Sequence, residues 1–311
     1  MRTRGLLLML AFSCHVRAQE DVIKHIQLAE FVVHRQAEGF DLEGFMAQVM
    51  EDTSFYHAFL NTRYHPHALK SGLRVRNKDE KETASLYREA HLVRDGRTAE
   101  LVLDSVKESG RLREHDGDMR YLTAEMYDDV FFPKGPYAAS NRVSDRTLAL
   151  DRSSRFEKYK SELKKFMFNP GQEIASVPFI GDKLDIFDPS MVPYYDYTLD
   201  SDYLRDHSCW VFTAVARDSV DGRPAREDDT VIKRMTTWFD DGNMNVIARQ
   251  YRIAHASLFL DFDITIHVDN TEVDGELVPT LVQYEGDWDI PFKKRELVRF
   301  HLAMSDWRIV P

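Results

Sequence analysis

The stretch LFLDFDITIHVD, residues 258–269, alternates apolar and polar side chains almost without a break. Such a period of two predicts a β-strand with one face buried and the other in water. Asp261 and Asp263 fall on the polar face, which raises the question of an acid–base site. Aspartates on the wet face of a long strand are more often solubilising residues than a catalytic pair. We therefore interpret the acidic face as the solvent side and place any function behind the apolar one.

The same alternation recurs along much of the chain, with turn signals such as Asp95-Gly96 and Asp274-Gly275 between the segments. No strand–helix–strand alternation of the kind that parallel sheets need is present. Strands are expected near residues 71–77, 85–95, 98–108, 195–201, 208–217, 230–239, 245–255, 257–269, 277–288 and 293–304.

Helical periodicity appears in separate blocks. Apolar residues at steps of three and four predict a helix over 41–60, with Asp41 as its N-cap, and further helices at 22–36, 123–132 and 156–168. An open sheet of about ten long strands must curl, and helices must cover its apolar concave face. The predicted class is α+β: a strongly curved antiparallel sheet, or incomplete β-barrel, of about ten strands, with helices covering the concave face.

The first eighteen residues have the form of a secretory signal peptide. Arg2 and Arg4 precede a short apolar run, and Val16-Arg17-Ala18 offers a cleavage site. Cleavage after Ala18 would leave a single domain over 19–311 with no transmembrane segment. A lipid anchor at Cys14 is the less favoured alternative. The predicted location is therefore exported, either periplasmic or outer-membrane associated.

Charge and cysteine content exclude several classes of protein. The formal net charge of −11 disfavours nucleic-acid binding, because the chain would repel a phosphate backbone. Once the signal is removed, Cys209 is the one remaining cysteine, so the protein is not a disulfide scaffold. We expect Cys209 to be a buried small apolar residue.

Several polar groups are candidates for a catalytic, metal or ligand site. Asp261 and Asp263 have a spacing compatible with a carboxylate-based hydrolase, the third-ranked hypothesis. His57, His65 and His67 are candidate zinc ligands, because histidine is a residue type that binds zinc. The acidic and tyrosine-rich segment at 188–202 is a candidate site for calcium or a sugar. No common nucleophile, dinucleotide or phosphate-loop motif is present. We predict no metal, no cofactor, no catalytic residues and no enzymatic activity.

Four segments carry a resemblance to known proteins. VIKRMTTWFDDGNMNVIARQYRI (231–253) resembles the recurring hairpin of the periplasmic lipoprotein-carrier (LolA/LolB-like) superfamily. DTSFYHAFLNTRYHPH (52–67), VPFIGDKLDIFDP (177–189) and LVPTLVQYEGDW (277–288) resemble a group of uncharacterised exported proteins of Bacteroidetes-type bacteria. The superfamily includes carriers of acylated lipoproteins and other lipids, so the resemblance implies a half-barrel with an apolar ligand cavity.

The leading hypothesis is an exported binding protein that holds a lipid or acyl chain, with other envelope proteins as further partners. The alternative is an envelope structural or interaction module with a packed core and no ligand. The apolar lining of the predicted cavity consists of Phe45, Met46, Phe59, Trp238, Phe262, Ile264, Ile266, Tyr284, Trp288, Phe300 and Met304.

Overall fold

The computed structural model describes residues 22–37, 39–142, 183–256, 261–289 and 295–311. The expected helix at 156–168 and the signal peptide lie outside these residues. The chain forms two compact units: one contains Met1–Thr53 with Gly171–Val246, and the other contains Ser54–Pro170 with Ile247–Pro311. A single domain over 19–311 stays a prediction.

Within the described residues, twelve strands form an open, mixed sheet. In the first unit the strand order is β1-β6-β7-β10, and in the second it is β11-β12-β13-β14-β2-β3-β4-β5. A short β8–β9 pair stands apart from this sheet. The strands are β1 (Ile26–Leu28), β2 (Ala68–Arg76), β3 (Glu82–Asp95), β4 (Thr98–Gly110), β5 (Tyr137–Ala138), β6 (Tyr195–Leu204), β7 (His207–Ala216), β8 (Ser219–Val220), β9 (Arg223–Pro224), β10 (Ile232–Asp240), β11 (Val246–Ala256), β12 (Asp261–Val273), β13 (Glu276–Asp289) and β14 (Glu296–Ser305).

The predicted fold class is confirmed: the protein is α+β, with a large open sheet and few helices. Apart from the parallel pair β1–β6, every strand pair whose register is described is antiparallel. In β12, Phe262, Ile264 and Ile266 are buried, whereas Asp261 is exposed and Asp263 is half-exposed. The alternation in the sequence therefore identified the buried face correctly.

The helices are α1 (Glu30–Ala37), α2 (Leu42–Glu51), α3 (Ser54–Asn61) and α4 (Leu122–Phe131). The Asp41 carboxylate accepts a 3.0 Å hydrogen bond from the Gly44 amide, which confirms the predicted N-cap.

Two helix predictions need correction. The helix expected over 41–60 is two helices, because Asp52 adopts an extended conformation (φ −58°, ψ 122°) between them. Asp52, Thr53 and Ser54 favour caps and turns over helix interiors, which explains the break. The helix expected over 22–36 is also interrupted, since β1 pairs with β6 there. Pairing in register with a buried strand outweighs the local helical pattern.

Candidate functional site

The structure divides the predicted lining between the two units. Phe45, Met46 and Trp238 belong to the first unit, and the other eight residues belong to the second. Phe59 and Trp238 are half-buried, and the other nine residues are buried.

In the first unit, α2 packs its apolar face on β7 and β10. The Phe45 ring lies 6.1 Å from Trp210 and 5.9 Å from Phe239, both edge-on. Trp238 immediately precedes Phe239 in the strand, so its side chain lies on the opposite strand face. Trp238 therefore does not join Phe45 on the helix-covered face.

In the second unit, aromatic side chains of α4 fill the centre of the predicted lining. The Tyr127 ring stacks on Phe300 at 3.9 Å and meets Tyr284 edge-on at 5.0 Å. Phe131 stacks on Phe300 at 5.5 Å and contacts Phe59 edge-on at 6.0 Å. This part of the apolar face is a packed aromatic core.

A cleft opens on the same sheet face, beyond the end of this core. Phe300 pairs with Leu73, and Leu73 pairs with Leu86 on β3. Directly opposed residues in antiparallel strands project to the same side, so Leu86 continues the row that Phe300 begins. Leu86 lines the cleft, which therefore extends the predicted apolar face toward β4.

The cleft has a volume of ≈ 360 Å³ and lies between β3, β4 and the end of α4. This volume falls within the usual range for small-molecule sites, roughly 300–1,000 Å³. Its lining combines apolar and charged side chains with one glycine: Leu86, Arg88, Leu101, Leu103, Val106, Glu108, Arg113, Asp128, Phe132, Pro133, Lys134 and Gly135. Leu103 and Val106 are 50% and 46% exposed, so the apolar wall on β4 faces open space.

A second, much smaller space of ≈ 10 Å³ adjoins the packed core. Met304, His67 and Arg63 are among the residues that line it. About one water molecule fits in such a volume. Met304 is thus the one predicted lining residue that borders either of these two spaces.

The position of α4 sets the shape of the cleft. Its first turn has no cap from Tyr121. Instead, the Glu296 carboxylate on β14 accepts hydrogen bonds from the Leu122 and Thr123 amides at 3.1 and 3.3 Å. At the other end, Pro133 follows the final turn and cannot extend the helix. Phe132 and Pro133 therefore lie in the cleft wall directly after the last turn of α4.

Arg88 and Asp128 are the buried charged residues of the cleft lining, with 7% and 9% of their surfaces exposed. Arg88 Nη1 donates a 2.5 Å hydrogen bond to Asp128 Oδ1, and the Arg88 guanidinium lies 3.4 Å from the centre of the Phe132 ring. Burial lowers the pKa of Arg88, and the Asp128 carboxylate opposes that shift. Arg88 Nε has no hydrogen-bond partner among the described residues.

The other charged groups lie nearer the solvent. Arg113 donates to both Glu108 carboxylate oxygens, at distances from 2.5 to 3.1 Å. These hydrogen bonds lower the pKa of Glu108. Lys134 is 89% exposed, and its Nζ lies 3.9 Å from Asp128 Oδ2. Three cations and two carboxylates line the cleft, so it carries an excess positive charge in an acidic protein.

The polar candidates from the sequence have local structural roles in the described chain. Asp263 forms a two-point ion pair with Arg252, at 2.9 and 2.6 Å, on an exposed strand face. His65 and His67 are 1% and 3% exposed, and His67 stacks on Trp307. No group of three or more potential metal ligands occurs among the described residues.

The tyrosine-rich segment at 188–202 is likewise structural. Tyr195 and Tyr197 are fully buried, and their hydroxyls donate to the backbone oxygens of Ile232 and Ile186. Asp196 pairs with Arg217 at 2.7 Å. Cys209 is buried as expected, and burial raises the pKa of its thiol to about 11.

Sequence reasoning missed the charged residues of the cleft, although one signal was visible. Leu86, Arg88, Ala90 and Leu92 alternate on β3, so Arg88 occupies a position on the apolar face. A charge at such a position is almost never buried unless paired. Its partner Asp128 is 40 residues away, and the sequence offered no way to join the two.

The chain matches no family model and no curated protein. Solved structures give distant likenesses. A DUF1329 family protein from Desulfovibrio piger is 12% identical over 81% of this chain and 90% of that chain, with a TM-score of 0.24. A putative outer membrane lipoprotein-sorting protein domain from Vibrio parahaemolyticus is 9% identical over 80% and 88%, with a TM-score of 0.26.

A structure of lipid–protein interactions in lipovitellin is 7% identical over 79% of this chain and 25% of that chain, with a TM-score of 0.25. These TM-scores are too low to carry an argument about ligand or activity. Within the described part of the chain, no helix is both long enough and apolar enough to cross a membrane.

Proposed function

We propose that the protein is an exported, non-enzymatic binding protein that holds a lipid or acyl chain in the cleft between β3, β4 and α4. The observation that carries this proposal is the open apolar wall of that cleft. Leu103 and Val106 are about half exposed and face a space of ≈ 360 Å³. Covering such side chains with an acyl chain removes apolar surface from water, which contributes roughly 25 cal/mol for each Å².

The cleft replaces the centre of the sheet face as the binding site. The rings of Tyr127 and Phe131 already occupy the space above Phe300, so a ligand there would have to displace α4. A ligand in the cleft needs no such movement. Leu86 and Leu101 would form its floor, and Phe132 with Pro133 would form the opposite wall.

A non-enzymatic role fits the chemistry of the described residues. Asp263, one of the two carboxylates considered for hydrolysis, is bound by Arg252 on an open strand face. Neither Asp261 nor Asp263 lines the cleft between β3, β4 and α4. The charged groups of the cleft form three ion pairs, Arg88–Asp128, Arg113–Glu108 and Lys134–Asp128, which suits orientation of a ligand.

A second candidate function, an envelope interaction module, is favoured by the packed aromatic core of the second unit. Tyr284, Trp288 and Phe300 are all at most 3% exposed. If the cleft stays empty in solution, the exposed side chains of β4 would instead contact a protein partner.

The test is uptake of a fluorescent fatty acid by the mature protein and by two variants. Val106→Glu places a charge in the apolar wall, and we expect at least about a tenfold loss of affinity. Val93→Glu is the matched control, since Val93 is 44% exposed on the neighbouring strand and does not line the cleft. Equal affinities for both variants and the wild type would overturn this site. No uptake by any of the three would leave the interaction module.

A further inference from the structure

We infer that the ligand of the cleft is a single-chain amphiphile with an anionic head, of the long-chain carboxylate class. This inference rests on the proposed function and specifies its ligand. Three features of the site support it: the excess of cations around the apolar wall, the incomplete pairing of the buried Arg88 and the modest volume of the space.

Charge provides the first argument. Arg88, Arg113 and Lys134 line the cleft with Glu108 and Asp128, so one cation is in excess. The formal charge of the whole chain is −11. A positive site in such an acidic protein attracts anions locally, although the protein as a whole repels them.

The incomplete pairing of Arg88 provides the second argument. A guanidinium has five N–H donors, and a buried one is costly unless its charge and donors are matched. Asp128 meets one nitrogen, at 2.5 Å, while Nε has no acceptor among the described residues. A second carboxylate near Arg88 and Lys134 would add acceptors and balance the excess charge.

Volume decides between one chain and two. A space of ≈ 360 Å³ lies near the lower end of the range for small-molecule sites, roughly 300–1,000 Å³. One acyl chain along Leu86, Leu101 and Leu103 would cover the apolar wall. A diacyl lipid would leave its second chain in water.

The test is displacement of Nile red, a neutral apolar dye, by three competitors: dodecanoate, dodecanol and dilauroyl phosphatidylglycerol. We expect dodecanoate to displace the dye at about tenfold lower concentration than dodecanol, because a charge-assisted hydrogen bond is stronger than a neutral one. Dilauroyl phosphatidylglycerol should compete more weakly than dodecanoate.

Two charge-reversal variants give the control. Lys134→Glu should abolish most of the preference for dodecanoate over dodecanol. Lys107→Glu makes the same charge change on β4, where Lys107 opposes Tyr87 and does not line the cleft. This variant should keep the preference of the wild type.

The outcomes separate the two proposals. Equal displacement by dodecanoate and dodecanol overturns the anionic head but leaves the acyl-binding function. Stronger competition by phosphatidylglycerol than by dodecanoate overturns the single chain. If Nile red does not bind, or neither dodecanoate nor dodecanol displaces it, the proposed function fails and this inference falls with it.

Discussion

Glu296 is a carboxylate with only 5% of its surface exposed, and its partners explain why it is tolerated there. Two backbone amides and the Thr123 hydroxyl of α4 donate to it, the hydroxyl at 2.8 Å. A negative charge at a helix N-terminus also interacts favourably with the helix dipole. One residue on β14 thus positions the helix that forms a wall of the cleft.

We predict that Glu296→Gln lowers the free energy of unfolding by about 1–3 kcal/mol, since the amide loses the charge and half of the acceptor capacity. Urea denaturation at neutral pH measures this change. Glu285→Gln is the control, because Glu285 forms an exposed pair with Arg299 and its loss should cost less than about 0.5 kcal/mol. Equal costs for the two variants would show that the cap does not hold α4.

The burial of His67 leads us to predict that the stability of the protein depends on pH. Burial lowers the pKa of His67 from its ordinary value of 6.5 to about 4, so the folded protein holds the imidazole neutral. The unfolded chain binds a proton below pH 6.5, and the folded chain does not until about pH 4. The stabilising contribution is therefore complete above pH 6.5 and is lost as the pH falls toward 4.

His67→Phe should reduce this dependence, because phenylalanine retains a ring against Trp307 but does not titrate. We expect the variant to lose on the order of 2 kcal/mol less stability than the wild type between about pH 7 and about pH 4.5. Urea unfolding at both pH values gives the comparison. Parallel losses in the two proteins would contradict a neutral buried His67.

At the scale of elements, β4 ends at Gly110, two residues after Glu108, which lines the cleft. Gly110 closes the strand with φ +69°, and a Cβ at this position would lie 2.1 Å from the Thr83 carbonyl oxygen. Gly96, in the turn before β4, has φ +56°, but a Cβ there would meet no atom within 4 Å. The two glycines share a left-handed backbone and differ in available space.

This difference predicts unequal costs of substitution. Gly96→Ala should lose about 1 kcal/mol from the left-handed conformation alone. Gly110→Ala must also move backbone, so we expect it to lose about 2 kcal/mol more. Thermal or urea unfolding of the two variants tests the ranking, and a smaller loss for Gly110→Ala would contradict the described end of β4.

The elements show how far the sequence could predict this fold. Alternation located the long strands because a buried face and a wet face leave a period of two, as in β12 and β13. Helix ends were harder to predict than strands. Asp52 and Thr53, which favour caps and turns, interrupt the helix expected over 41–60. The parallel β1–β6 pair joins residues distant in sequence, and no local pattern encodes that choice.

The sequence predicted the buried sheet face from which the cleft extends, but not the position of the cleft. Phe300 and Tyr284 do lie on the buried face, yet Tyr127 covers them. The position of α4 over the sheet depends on contacts such as the hydrogen bond from Thr123 to Glu296. These two residues are 173 positions apart in the sequence. Arg88 and Asp128 meet only through the same placement, so the charged end of the cleft was not visible from the sequence.

At the scale of the whole molecule, we propose that this acidic α+β protein carries an acyl ligand with an anionic head. This role requires that an acyl chain occupies the cleft under native conditions. The positive, half-open cleft and the predicted export signal support the proposed capture of such a ligand.

The most direct measurement is native mass spectrometry of the mature protein purified without detergent, with organic extraction of whatever co-purifies. We expect a bound species at one copy per chain, identified in the extract as an acyl carboxylate, and its loss in Val106→Glu but not in Val93→Glu. A bare protein that also fails to take up added dodecanoate would contradict a ligand-binding role for the cleft.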